Sequence, residues 1–144
     1  MSLIVSERPQ YVLLQWAADR LNLPSGRWVQ DSRAVGVLDG VNIRAVLVLN
    51  QFTGEGCEAS FVTDGSKSWA TRDTVSAFIE YPFTQWGVRR VLARIAAHER
   101  DTQIQALRIG FQFEARYRAG MPDGSDAILF SMLHEEMPFV TKEE

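Results

Sequence analysis

Residues 81–133 read YPFTQWGVRRVLARIAAHERDTQIQALRIGFQFEARYRAGMPDGSDAILFSML, and the places where this stretch changes its apolar period decide the fold. Phe83 and Trp86 close a helical face begun upstream by Val75, Phe78 and Ile79, with Gly87 standing where a helix C-cap takes a positive φ. Val91, Ala93 and Ile95 then alternate with Arg90, Leu92 and Arg94, which is the period of a strand. A short helix is expected over Thr102 to Arg108. After it Phe111, Phe113, Ala115 and Tyr117 alternate with Gln112, Glu114, Arg116 and Arg118, the pattern of a half-buried strand. MPDGSD supplies a turn, and AILFSML a closing strand.

Working upstream, the spacing predicts a helix from Thr71 to Trp86, with Pro82 expected to loosen its last turn because proline lacks the N–H and crowds the preceding carbonyl. CEASFVTD before it reads as a strand over Cys57 to Thr63. A helix lying between two strands favours a parallel pair, so this strand and the one after Gly87 are expected to run side by side. RAVGVLDGVNIRAVLVLNQF holds two β-branched runs around Asp39-Gly40, which predicts a hairpin of Ser32 to Leu38 and Asn42 to Asn50. Leu13, Trp16, Ala17 and Leu21 recur at helical spacing after Pro9, and LPSGRW ends that helix. With the apolar start Leu3 to Val5 the order becomes β-α-β-β-β-α-β-α-β-β. The fold class is α+β: a mixed, mostly antiparallel sheet with flanking helices, in one domain over residues 1–144, with a fraying tail over 136–144.

Composition narrows the function. The chain has 144 residues, 46% of them hydrophobic, and a formal charge of −3 from 15 basic and 18 acidic side chains. That suits one compact domain and disfavours binding driven by nonspecific attraction to nucleic acid or anionic lipid. A nucleic-acid interface of Arg89, Arg90, Arg94, Arg116 and Arg118 is the third-ranked reading. Cys57 is the only cysteine, so no disulfide closes within one chain, and a cytoplasmic setting is expected. Neither a secretory leader nor a membrane span is read in the sequence. His98 and His134 with one cysteine give no metal-ligand spacing, and no Gly-x-Ser-x-Gly elbow is present.

Residues 81–133, and above all Ile109-Gly110-Phe111 followed by Glu114 and Arg116, resemble the second half of the GNAT-family acyl-CoA-dependent N-acyltransferases, in particular the ribosomal-protein and phage-encoded branches. The resemblance covers roughly residues 30–134. It implies that two parallel strands splay apart to take acyl-CoA, and that the diphosphate rests on the amides opening the next helix. Such an end carries about four unpaired N–H groups and roughly half a positive charge. It further implies acetyl-CoA as co-substrate, transfer of the acetyl group to a primary amine on a protein N-terminus, a small molecule or a modified base, and compatibility with a homodimer. The alternative it leaves open is an inactive GNAT-like binding or assembly module, carried by a phage or prophage.

The candidate residues follow residue by residue. The family's phosphate pattern falls on Gly65, Ser68 and Ala70, of which Ala70 alone agrees. Lys67 and Arg72 offer charge, Ser66, Ser68 and Thr71 offer hydroxyls, and Trp69 stands among them. The other reading of the loop is that Ser68 or Thr71 simply caps the helix. Backbone of Ser60, Phe61 and Val62 is the candidate for holding the thioester and its oxyanion. Glu58, on the same strand face as Ser60, is the candidate base. The resemblance implies an acid tyrosine where this chain has Ala106, and it matches Thr102 to a serine opening the short helix, where Thr102 also suits an N-cap. His98 is the remaining titratable candidate.

Overall fold

The computed structural model describes residues 3–23, 26 and 28–137. Its elements are β1 (Leu3–Ser6), α1 (Gln10–Leu21), β2 (Arg33–Asp39), β3 (Asn42–Asn50), β4 (Gly56–Thr63), α2 (Arg72–Gln85), β5 (Arg90–Ala96), α3 (Arg100–Ile109), β6 (Gln112–Tyr117), β7 (Ala127–Leu133) and a 3₁₀ turn at His134–Glu136. The order is the one the periodicities predict. The strands form one mixed sheet in the order β1-β2-β3-β4-β5-β7-β6, mostly antiparallel, with β4 and β5 parallel. The chain divides into two compact units, Met1–Gln51 with Ser60–Ile79 and Phe52–Ala59 with Glu80–Glu144.

In the first unit β2 and β3 form the expected hairpin, connected by Gly40 and Val41, and Gly40 has φ of +65°. That is the conformation for which a side chain would be strained. α1 lays Leu13 and Ala17 on Ala34, Val46, Val48 and Val62. The approach is close at Gly36, where an added Cβ would meet Leu13 Cδ2 at 2.8 Å. Gln10 ties the helix start to the strand: its amide nitrogen donates to the Ala34 carbonyl at 2.6 Å, and the Ala34 N–H donates to its oxygen at 2.9 Å. Asn22, at φ of 52°, closes α1 by donating its N–H to the carbonyls of Ala18 and Asp19. Asparagine suits that place because it tolerates the left-handed region.

In the second unit the parallel ladder runs Gly56↔Arg90, Cys57↔Val91, Glu58↔Leu92 and Ala59↔Ala93. β5 pairs antiparallel with β7, and β7 with β6. Strand alternation gives the sheet two chemically different faces. Cys57, Val91, Met132, Phe130 and Ile95 are buried on one. Glu58, Leu92 and Arg94 lie half-buried on the other. Gly87 has φ of +67°, as a C-cap requires, and Pro82 lies inside α2 and is fully buried.

Three expectations need correction. β6 is not half-buried: all six of its residues are exposed, with Phe113 at 60% and Tyr117 at 48%. As the last strand of the sheet it has one neighbour only, and a bulge at Glu114 shifts its register, so Phe113 opposes Phe130 while Ala115 opposes Leu129. One extra residue reverses the alternation, leaving Phe113 and Tyr117 on opposite faces. Thr102 is not an N-cap, because α3 begins at Arg100 behind Glu99, which places Thr102 inside the first turn. The tail expected to fray from 136 includes Glu136, which belongs to the 3₁₀ turn, and Met137, which is 6% exposed; residues 138–144 lie outside the described residues.

Leu13 is fully buried at the centre of the first unit. Leu13→Ala is expected to cost about 2–5 kcal/mol, the usual range for emptying a leucine site. A urea titration followed by tryptophan fluorescence measures it, and a loss below about 1 kcal/mol would show that this core collapses around the gap.

Candidate functional site

The loop after β4 is held by its own acidic residue. Asp64 accepts from the Ser66 hydroxyl at 2.6 Å, from the Ser66 N–H at 2.9 Å and from Arg44 Nη1 at 3.0 Å. Arg44 also reaches Asp39 at 3.3 Å, and its own backbone carbonyl accepts from the Asp64 N–H at 2.9 Å. Gly65 N–H donates to the Thr63 hydroxyl at 3.1 Å. An Asx turn of this kind arises locally, since a short carboxylate reaches the amide two residues on.

Trp69 is an anchor of the first unit's core. It is 4% exposed, its ring lies 5.1 Å from Phe61 and 5.8 Å from Phe78, and its Nε1 donates to the Ser66 carbonyl at 3.1 Å. The amphipathic indole thus buries its body while its polar edge bonds the loop. The cap allowed by the sequence at Thr71 is formed. Thr74 N–H donates to Thr71 Oγ1 at 3.1 Å and Thr71 N–H donates to Thr74 Oγ1 at 3.0 Å, a reciprocal box around the start of α2. Thr74 Oγ1 donates in turn to the Trp69 carbonyl. Internal acceptors therefore take the amides of Gly65, Ser66, Ala70, Thr71 and Thr74 and the hydroxyl of Ser66. Lys67, Ser68, Ala70, Thr71 and Arg72 are exposed. Upstream, Ser60 is half-buried, Phe61 is 40% exposed and Val62 is buried.

In the second unit the candidate base, Glu58, is half of an ion pair. Arg94 Nη2 donates to both of its oxygens, at 3.1 and 3.0 Å, and the two side chains are 29% and 30% exposed. Arg94 is held from two further sides, by Nη1 donating to the Gly120 carbonyl at 2.9 Å and by the Tyr117 ring 5.1 Å from its guanidinium carbon. Ser131, on the same face, donates to the carboxylate of Glu114. Thr102 is half-buried with its hydroxyl donating to Glu99 at 3.2 Å, and His98 is exposed in the turn after β5. Ala106 is buried, leaving no hydroxyl where the resemblance implies a tyrosine. Burial pushes the Cys57 thiol up to about 11, so it is neutral and unreactive at ordinary pH.

Arg94 is the residue that sequence reasoning missed as the partner of Glu58, naming it only among the arginines of the nucleic-acid reading. Three of those five are engaged with carboxylates: Arg89 with Glu55 at 3.5 Å, Arg94 with Glu58 and Arg116 with Asp126 at 2.8 Å. Alternation along each strand did not by itself signal the pairing: only the parallel register, which opposes Glu58 to Leu92, sets residue 94 diagonally beside Glu58 on the same face. Among the described residues no group of three His, Cys, Asp or Glu side chains is arranged to hold a metal, and no helix is long and apolar enough to cross a membrane.

The sequence matches no family model and no curated protein. The structure, in contrast, is similar to that of a mutant form of the spermidine/spermine N-acetyltransferase SpeG from Vibrio cholerae, with a TM-score of 0.76 at 13% identity over 94% of this chain and 97% of that one. It is also similar to a GNAT-family acetyltransferase from Bacillus anthracis, with a TM-score of 0.67 at 15% identity over 94% and 97% of the two chains. At such identities the likeness establishes architecture. The chain has the GNAT acetyltransferase fold, and the ribosomal-protein and phage-encoded branches are not singled out by these structures.

Asp64 offers a test of how the loop is held. Burial pushes its carboxyl up, but the hydrogen bonds from Ser66 and Arg44 and the Arg44 charge outweigh that and hold it at about 2 against an ordinary 3.8. The stabilisation, on the order of 2 kcal/mol, is fully present above about pH 4 and is lost as pH falls through about 2. Asp64→Asn lacks it at every pH. Urea midpoints of the two proteins should therefore differ most at neutral pH and converge towards pH 2; a gap that stays constant on acidification would show that the carboxylate charge is not what holds the loop.

Proposed function

We propose that the chain is an acetyl-CoA-dependent N-acetyltransferase that moves an acetyl group to a primary amine by direct attack. The observation that supports the reading is the parallel pairing of β4 with β5, from Gly56↔Arg90 to Ala59↔Ala93, in a chain with the GNAT acetyltransferase fold. In this reading the strand backbone of Ser60, Phe61 and Val62 suits an extended amide-bearing ligand. Ala70, the charges of Lys67 and Arg72 and the dipole at the start of α2 suit a diphosphate. Ser66, Ser68, Trp69 and Thr71 complete the loop in this reading. The reaction itself asks for little from side chains. A neutral amine attacks the thioester carbonyl, the oxyanion is held by backbone N–H groups, the C–S bond breaks, and the thiolate takes a proton.

Glu58 is the base in this scheme. Each carboxylate oxygen has two lone pairs, so the two bonds from Arg94 leave sites that accept a proton from the amine or from a water. His98 and Thr102 are the candidates for returning a proton to the thiolate, directly or through water. A second reading, a catalytically inactive binding or assembly module with this fold, is favoured by one observation: the loop spends five amides and the Ser66 hydroxyl on its own acceptors.

Calorimetry separates the two. Acetyl-CoA is expected to bind at micromolar concentration, with Lys67→Glu and Arg72→Glu each weakening it at least about tenfold, as removing and inverting a charge at a phosphate site does. Absence of binding to the wild-type protein would favour the module and sink the transferase. In the same preparation Glu58→Gln should slow turnover by about 10²-fold or more while acetyl-CoA binding persists, and unchanged turnover would remove Glu58 from the base role.

A further inference from the structure

We infer that the Glu58–Arg94 pair is the recognition element for the acceptor, and that the acceptor is a zwitterion, a small molecule carrying a carboxylate a few bonds from its primary amine. The inference rests on the transferase reading for the reaction, but the binding it claims is separable from acetyl transfer. The pair lies on the polar face of the second unit's sheet, about a third exposed on both sides, where an incoming molecule touches both charges at once. A lone cation drawn to Glu58 meets the adjacent guanidinium. A lone anion drawn to Arg94 meets the adjacent carboxylate. A molecule carrying both signs closes a ring of alternating charge and leaves the internal pair intact, which avoids stranding either charge.

The guanidinium is preorganised for this task. Its Nη1 is held by the Gly120 carbonyl and its guanidinium carbon lies 5.1 Å from the centre of the Tyr117 ring, so ligand binding orders little that is not already ordered. Its five N–H donors exceed what Glu58 and Gly120 occupy, so a ligand carboxylate finds donors without displacing either. Gly120 is required at that place, since a Cβ there would stand 2.5 Å from the Tyr117 ring. Glu58 keeps lone pairs for the ligand ammonium, which puts the amine beside the group assigned to deprotonate it. Half-buried Leu92 and Leu129 flank the pair on the same face and give the remainder of the acceptor an apolar seat.

The experiment is a calorimetric panel on the wild-type protein, with and without saturating coenzyme A. It compares leucine, glutamine and lysine, each beside its primary amide and its N-acetyl form, together with spermidine. At least one free amino acid is expected to bind about tenfold or more tightly than both its amide and its N-acetyl derivative, the size of one charge-assisted contact. Arg94→Gln, checked for folding by thermal melting, should bring that amino acid and its amide to within about twofold, and Arg94→Lys should restore part of the preference because it returns the charge without the planar fork. The inference is overturned if every amide binds as well as its amino acid, if spermidine binds most tightly, or if no member of the panel binds. Failure of acetyl-CoA to bind would sink the transferase instead, and the preference measured without coenzyme A still decides the claim about the pair.

Discussion

Four parallel rungs, from Gly56↔Arg90 to Ala59↔Ala93, are the constraint on which the second unit depends. Parallel strands cannot be joined by a tight turn, so the chain must cross over between them, and it does so through α2. The first rung is close: a Cβ on Gly56 would lie 2.7 Å from Arg90 Nη2 and 3.0 Å from the Arg90 carbonyl. The register in turn selects which side chains share a face. With Glu58 opposite Leu92, Arg94 comes within hydrogen-bonding distance of the carboxylate, and a shift by one residue would send one of them into the apolar face among Cys57, Val91 and Met132.

Each unit organises its polar chemistry around one hub whose partners come from within that unit. In the first, Asp64 gathers Ser66 and Arg44, and the loop so fixed presents Trp69 to Phe61 and Phe78. In the second, Arg94 gathers Glu58, Gly120 and Tyr117. The hubs differ in what they leave over. The Asp64 network consumes donors that a phosphate would otherwise use, whereas the Arg94 network keeps both of its charges partly open to solvent. The loop is therefore the more structural of the two candidate regions and the sheet face the more available.

What the sequence offered at the candidate residues was their chemistry, and the misreadings of their surroundings share a cause. Glu58, Ser66, Thr71 and Trp69 stand out from residue type and position, and the cap at Thr71 follows from a hydroxyl placed just before an apolar helical face. That Ser66 would spend its hydroxyl on Asp64 follows only from the turn actually adopted. That Trp69 would be core follows only from which aromatics its neighbours bring. Thr102 looked like a cap because it is a good one, yet α3 starts at Arg100 with no side-chain cap at Glu99, where two further residues joined the helix. A local preference worth about 1 kcal/mol does not set a helix boundary against tertiary packing.

By itself the sequence determined the order of elements, the hairpin at Gly40, the stop of α2 shortly before Gly87 and the class of the sheet. These rest on short-range physics: the side-chain period of helix and strand, the freedom of glycine at positive φ, and the length of connection that parallel strands need. Tertiary structure alone decided the exposure of β6, the pairing of Arg94 with Glu58 and the burial of Trp69. Each depends on partners distant in the chain. An edge strand differs from a central one only by an absent neighbour, and one bulged residue at Glu114 reverses an alternation that reads perfectly along the chain.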